Sequence, residues 1–290
     1  MGVVLVVVTS ACAGEGTQQE PRPEAPANAV TIDDFDPNNF SDPTNIDNPY
    51  FPLKPGTRWV WEGQAFEEGE RINRRVEITV TDMTKELNGV PAIVIIDKDF
   101  NNDELIEWET AFFSQDDDGT VWLHGYYSEE WEEGKVVDAP VWLAGVNGAR
   151  SGIFMQPQPR VGTPPYEQGL PPADYEAPDY AQVYRTGQRV CVPVDCYENV
   201  LVTREWHPSE PGVFQTKFYA RGVGNIRIGY LGEKDPEKEE LELVTFEQLD
   251  EEAMAQLRED VKELESRAYK LESSKDVYSQ TEPATQLAAA

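Results

Sequence analysis

The sequence predicts a mainly antiparallel β domain, curved or partly closed, that ends in a long C-terminal helix. Three observations predict it. Apolar residues recur with period two over most of residues 57–246. Turn dipeptides break that pattern at short spacing. From residue 246 the period becomes that of a helix. With 290 residues the chain suffices for one large domain or two small ones with a real core. No internal repeat at a fixed period is visible.

Taken in order, Val76, Ile78 and Val80 alternate with Glu77 and Thr79, the mark of a half-buried strand. Residues 90–96 read VPAIVII, apolar on both faces, which predicts a central strand covered on both sides. Ile106, Trp108 and Phe112 share one face of the next strand, and Glu107 and Glu109 the other. Val200, Val202 and Trp206 alternate with Leu201, Thr203 and Glu205. Ile226, Ile228 and Tyr230 flank Arg227 in the same way. Turns are expected at Glu68-Gly69, Asn88-Gly89, Asn101-Asn102-Asp103, Asp118-Gly119, Glu133-Gly134, Pro211-Gly212 and Asp235-Pro236, which makes the whole a meander.

Residues 45–248 form this β domain. Within it residues 152–180 differ, with Pro157, Pro159, Pro164-Pro165 and Pro171-Pro172. Proline removes ladder donors, so this stretch reads as an ordered excursion or lid outside the sheet. Residues 249–273 form the helix. Met254, Leu257, Val261, Leu264, Ala268 and Leu271 make one stripe that packs on the sheet or pairs in a coiled coil. Residues 274–290 read as a disordered tail.

Composition narrows the function. Lys and Arg number 24 and Asp and Glu 54, a net charge of −30. Such a field repels phosphate, which excludes a nucleic-acid surface and basic-patch binding to anionic lipid. Two His and three Cys leave little for a His/Cys metal site or a His-based triad; no metal and no cofactor is expected.

The first eleven residues are a short apolar run ending in small residues, a signal peptide. The run is too short to span a bilayer, which needs about 20 residues. Ser10-Ala11-Cys12 followed by Ala13-Gly14 resembles a bacterial lipobox, which implies cleavage before Cys12 and a lipid on it. Residues 12–44 then form a flexible tether, since residues 13–29 hold no large apolar side chain. With Cys12 lipidated, Cys191 and Cys196 remain as a pair bracketing Val-Pro-Val-Asp, and an oxidising compartment would join them across a turn.

Residues 48–63, NPYFPLKPGTRWVWEG, are distinctive. They resemble the opening of a group of uncharacterised bacterial exported proteins and lipoproteins, with signature NPYFPL-PG-x-W-x-Y-x-G. Gln115-Asp116 with Gly119-Thr120-Val121-Trp122, Gly148-Ala149 with Gly152-Ile153 and Met155, residues 199–203 and residues 219–224 match later blocks of that group. The resemblance covers roughly residues 45–248. It implies an extracytoplasmic location and no particular activity.

Candidate chemistry is sparse. Glu107 and Glu109 are about 7 Å apart on one strand face, a spacing compatible with two-acid glycoside hydrolysis; a solvated face is the competing reading. Asp116-Asp117-Asp118-Gly119 suits a hairpin turn better than a calcium loop, and the acidic run near Asp33-Asp34 and Asp36 is a second calcium candidate. His124 and His207 sit beside aromatic residues without a nucleophile motif. The expected ligand-binding surface is aromatic: Trp59 and Trp61 on one face, Trp122 and Tyr126 on one face, under the Pro-rich excursion. The expected protein is a non-catalytic, lipid-anchored envelope protein that is structural or binds an apolar ligand or a protein partner. The alternative is a hydrolase of envelope sugars or esters.

Overall fold

The computed structural model describes residues 35–172, 177–233 and 235–287. Cys12, the signal peptide and most of the tether lie outside them. In chain order the strands are β1 (Thr57–Glu67), β2 (Glu70–Leu87), β3 (Val90–Asn101), β4 (Glu104–Gln115), β5 (Val121–Glu132), β6 (Lys135–Asp138), β7 (Val141–Leu143), β8 (Gly152–Met155), β9 (Tyr166–Glu167), β10 (Tyr180–Cys191), β11 (Cys196–Trp206), β12 (Phe214–Ala220), β13 (Gly224–Leu231) and β14 (Glu240–Gln248). Helices α1 (Glu251–Ala268) and α2 (Lys275–Tyr278) follow, then β15 (Thr285–Gln286).

The predicted turns make the meander. Glu68-Gly69, Asn88-Gly89 and Glu133-Gly134 all take positive φ at both positions, the two-residue hairpin geometry that follows strand twist. The resulting antiparallel sheet runs β6-β5-β4-β3-β2-β1-β14-β13-β12-β11-β10-β9. It curls without closing as a barrel. Its ends are tied by β8, which pairs with β5 and packs beside β9, and by a two-bond bridge between Arg150 and Leu170. Only glycine fits this seam: a Cβ on Gly152 would lie 1.9 Å from the Gly169 nitrogen. The Pro-rich excursion therefore contributes two short strands, contrary to its reading as wholly outside the sheet. Its prolines fall outside both strands, Pro157, Pro159, Pro164 and Pro165 between them and Pro171, Pro172 and Pro178 after β9.

Two cores follow from the pleat. The concave interior holds Trp59, Trp61, Val76, Ile95, Phe113, Tyr219, Ile228 and Leu241 among others. The outer face of β2–β5 carries Val94, Ile96, Phe112 and Tyr127, and the α1 stripe of Val261, Leu264 and Ala268 packs on it. β3 is thus buried on both faces, as its unbroken apolar run predicts. The stripe meets the sheet, so the coiled-coil alternative falls. Burying each of the larger of these side chains, such as Val261 and Leu264, contributes roughly 1.5–3 kcal/mol. Asp250 caps α1 by accepting from the Ala253 N–H at 2.9 Å. No helix among the described residues is long and apolar enough to cross a membrane.

Two sequence expectations change. Residues 274–287 are not a disordered tail: Tyr278 is fully buried against Tyr127 and Tyr269, and β15 adds to β2. Few apolar residues mark this segment, but Tyr278 alone buries a large ring. Likewise residues 35–44 of the expected tether pack on the domain. Phe35 meets the Trp122 ring edge-on at 5.1 Å, and Asp117 accepts from the Ser41 N–H and hydroxyl.

The NPYFPL segment also acquires a structural reason. Asn48 is a latch: its backbone N–H donates to Gln115 Oε1, its amide donates to the carbonyls of Gly119 and Gln156, and its Oδ1 accepts from Tyr50. Phe51 then lies against Phe154, Phe113 and Tyr219, with ring centroids at 4.4, 5.5 and 6.4 Å. This aromatic group plugs one end of the curled sheet.

Cys191 and Cys196 form the expected disulfide, paired directly across the β10–β11 hairpin. Their Cα atoms are 3.9 Å apart, shorter than the usual span for a disulfide.

Candidate functional site

The interior of the curled sheet changes character along its length. Near the plug it is aromatic and aliphatic. Toward the other end, inward positions that continue the same alternation become charged. On β3, Ile93 and Ile95 give way to Asp97 and Asp99; on β4, Phe113 and Ala111 give way to Glu109 and Glu107. The reading of Glu107 and Glu109 as a solvated face is therefore overturned: Glu109 is buried and Glu107 half-buried. They face inward because their strand face is the one that curls, and Trp108 looks outward toward α1, beneath Arg267.

Two cations answer this acid layer. Arg74 pairs with Asp99 at 2.6 Å and with Glu239 at 3.2 Å, and donates to Asn101. Lys217 pairs with Glu205 at 2.7 Å. Carboxylates outnumber them. Burial, and next the Asp99 charge, push the Glu107 carboxyl up to about 7. Burial and then Glu107 hold Glu109 well above the ordinary carboxylate range. Glu109 is 1% exposed, and its Oε2 finds no hydrogen-bond partner among the described residues.

Above this layer lies a cavity of about 120 Å³. Leu123, Tyr126, Trp142 and Phe154 form its apolar floor. Glu205, Lys217 and Glu239 line one wall, and the β11–β12 and β13–β14 loops bring His207, Glu210, Asp235 and Glu237 to the rim. The Pro-rich excursion supplies Gln168, Gly169, Pro171 and Pro178. Gln168 is 7% exposed and its amide nitrogen has no partner among the described residues. Burial, and next the neighbouring Glu239, push Glu237 up to about 7.

The four aromatic residues expected to bind ligand are divided. Tyr126 lines the cavity, edge-on to Trp142. Trp59 and Trp61 share the interior, as expected, but line a separate apolar pocket of about 30 Å³ near the plug, with their indole N–H groups donating to the Val223 and Asn225 carbonyls. Trp122 lies on the outer side of β5, packed with Phe35, Ile153 and Tyr166, and donates to Asp116. A bulge separates it from Tyr126: β5 advances three residues from Leu123 to Tyr126 while β4 retreats two, with Gly125 at φ +124°. Period-two counting cannot see an inserted residue.

The remaining candidates are structural. Asp116 accepts from the Asp118 and Thr120 N–H groups, which ties up the turn, and among the described residues no three His, Cys, Asp or Glu side chains converge as a metal site. The Asp33-Asp34 part of the second calcium candidate lies outside the described residues. His124 is fully buried between the Ser114 and Ser151 hydroxyls, and burial pulls it down to about 3. His207 lies at the cavity rim and contacts the Ala177 carbonyl at 3.1 Å.

Sequence reasoning missed Gln168, Glu205, Lys217, Glu237 and Glu239. A signal existed for two of them. Lys217 alternates with Tyr219, and Glu239 with Leu241 and Leu243, on inward faces.

No protein-family model matches the sequence, and no curated protein matches it. Solved structures of similar shape include a protein described as exported, with a YmcC-like fold, from Bacteroides fragilis NCTC 9343. It is 13% identical, at a TM-score of 0.38, and the match covers 69% of this chain and 99% of that one. A protein described as a lipoprotein from Parabacteroides distasonis ATCC 8503 is 12% identical at a TM-score of 0.40, with the same coverages. No residue role is carried over from either.

Proposed function

We propose that this is a non-catalytic, extracytoplasmic binding protein, tethered to the cell membrane by lipid on Cys12, that holds a small ligand in the cavity between the curled sheet and the Pro-rich segment. The cavity carries the reading. It joins an apolar floor to a few convergent polar groups, the usual make-up of a ligand site, and Gln168 presents a donor there without an acceptor among the described residues. A buried polar group left unpaired costs about 1–3 kcal/mol, so a ligand or water that accepts from it is favoured. The aromatic contact belongs to Tyr126 and Trp142 here rather than to Trp59, Trp61 and Trp122.

Hydrolysis fits less well. Glu107 is engaged by the Ser128 hydroxyl at 2.6 Å, Glu109 is enclosed, and neither lines the cavity where a substrate would sit. The Cys191–Cys196 disulfide supports an oxidising compartment.

Two measurements test the proposal. Cys12→Ser should move the protein from the membrane to the soluble fraction and abolish its lipid mass; a variant that stays membrane-bound removes the anchor. Calorimetric titration with p-cresol, a small neutral ring, should saturate at one site. Val213→Trp at the half-exposed rim should abolish that binding and leave the melting temperature within a few degrees. A wild type that takes up no phenol of this size, neutral or charged, returns the protein to a purely structural role.

A further inference from the structure

The charge on the cavity wall is lopsided. Glu205 and Glu239 are matched by Lys217 and Arg74. Asp235 spends one oxygen on the Glu237 and Lys238 N–H groups, which turns the β13–β14 loop inward without cancelling its charge. Glu237 makes no ion pair with any described residue, and Glu210 adds another carboxylate to the same rim. One lysine therefore faces six acids, Asp179 among them, around a floor of hydrocarbon and aromatic rings.

We infer that the cavity selects a cationic ligand, an amine or guanidinium on a small apolar body that also carries an oxygen acceptor for Gln168. This rests on the binding reading above and narrows it. The ring or chain lies on Leu123, Tyr126, Trp142 and Phe154, and the cation meets the Glu237–Glu239 wall. An anion would face the excess carboxylates in a site where water screens little. A metal ion is disfavoured by geometry, since among the described residues the acids do not converge in threes. A single protein-supplied ammonium, on Lys217, is already taken by Glu205.

The test is a size-matched series titrated by calorimetry into the full-length protein: tyramine, tyrosol and 4-hydroxyphenylacetate. They share a phenol and differ in an ammonium, a hydroxyl or a carboxylate. Tyramine should bind at least tenfold tighter than tyrosol, and 4-hydroxyphenylacetate should not bind. Glu237→Gln should weaken tyramine at least fivefold and leave tyrosol unchanged. Tyrosol binding as tightly as tyramine overturns the cationic selectivity and leaves the binding function standing. Tyramine preference untouched by Glu237→Gln overturns the assignment to this wall. If all three, and p-cresol, fail to bind, the binding function falls and the selectivity with it.

Discussion

Replacing Lys85 with methionine is expected to lower the free energy of unfolding by about 3–5 kcal/mol, the cost of leaving one half of a buried ion pair alone. Lys85 lies on the outer face of β2 under the C-terminal segment, 1% exposed. Its ammonium donates to Glu265 Oε1 at 2.8 Å and to the Glu282 carbonyl at 2.6 Å, and lies 4.7 Å from the Tyr278 ring centroid. Burial lowers its pKa and Glu265 opposes that shift, so the pair is balanced rather than strong. Three elements depend on it: α1 through Glu265, the following segment through Glu282, and α2 through Tyr278. Removing the charge strands Glu265, whose remaining side-chain hydrogen bond among the described residues is from the Ala284 N–H. Urea denaturation of Lys85→Met against wild type measures the loss, and hydrogen exchange of residues 275–287 shows where it falls. The double variant Lys85→Met with Glu265→Leu should recover most of the stability, because matched apolar groups replace the pair. A single variant that loses less than about 1 kcal/mol and keeps those amides protected would refute the clamp.

That clamp also shows where a linear reading stops. The meander was legible because each signal is local: a hairpin dipeptide with positive φ, a period of two, a stripe stepping by three and four. VPAIVII announced a strand covered twice because both faces are apolar. The fate of residues 274–287 was not legible, because what holds them lies 180 and more positions away, in Lys85. The same applies to Glu107 and Glu109. Alternation says that they share a face and cannot say which way the sheet curls, so an acidic stripe reads as solvated by default. The four aromatic residues were divided for a different reason. One inserted residue at Gly125 sent Trp122 and Tyr126 to opposite sides. The cavity itself is assembled from loops and strands between residues 123 and 239, and only the tertiary fold collects them.

The buried carboxylates should make the protein more stable in mild acid than in mild alkali, with a maximum near pH 5. The sign follows from the direction of each shift. Glu107 has its folded value raised to about 7, above the ordinary 4.5, so its contribution is fully present below 4.5 and is lost as pH rises through 7. At about 1.4 kcal/mol per unit that is up to about 3 kcal/mol. Glu109 and Glu237 act in the same direction. His124 acts oppositely: held neutral and lowered to about 3 by burial, it contributes fully above 6.5 and loses that contribution as pH falls toward 3. Between pH 7 and 5 several carboxylates outweigh one imidazole. Below 4.5 the unfolded chain protonates as well and their gain ends, while His124 continues to lose, joined by Asp82, whose bonds with Arg258 and Gln286 lower its pKa despite burial. Thermal melts across pH 3–9 should therefore rise and then fall. Overall charge repulsion also eases on acidification, so the wild-type curve alone does not assign the effect. Glu109→Gln separates the two. It removes one of 54 acidic groups, too few to change the global field, yet it should stabilise the protein at pH 8 by an amount on the order of 1–3 kcal/mol and flatten the alkaline limb. A Glu109→Gln melt that parallels wild type from pH 5 to 8 would show that the interior carboxylates are solvated after all, and that the acid layer above which the cavity sits is open to water.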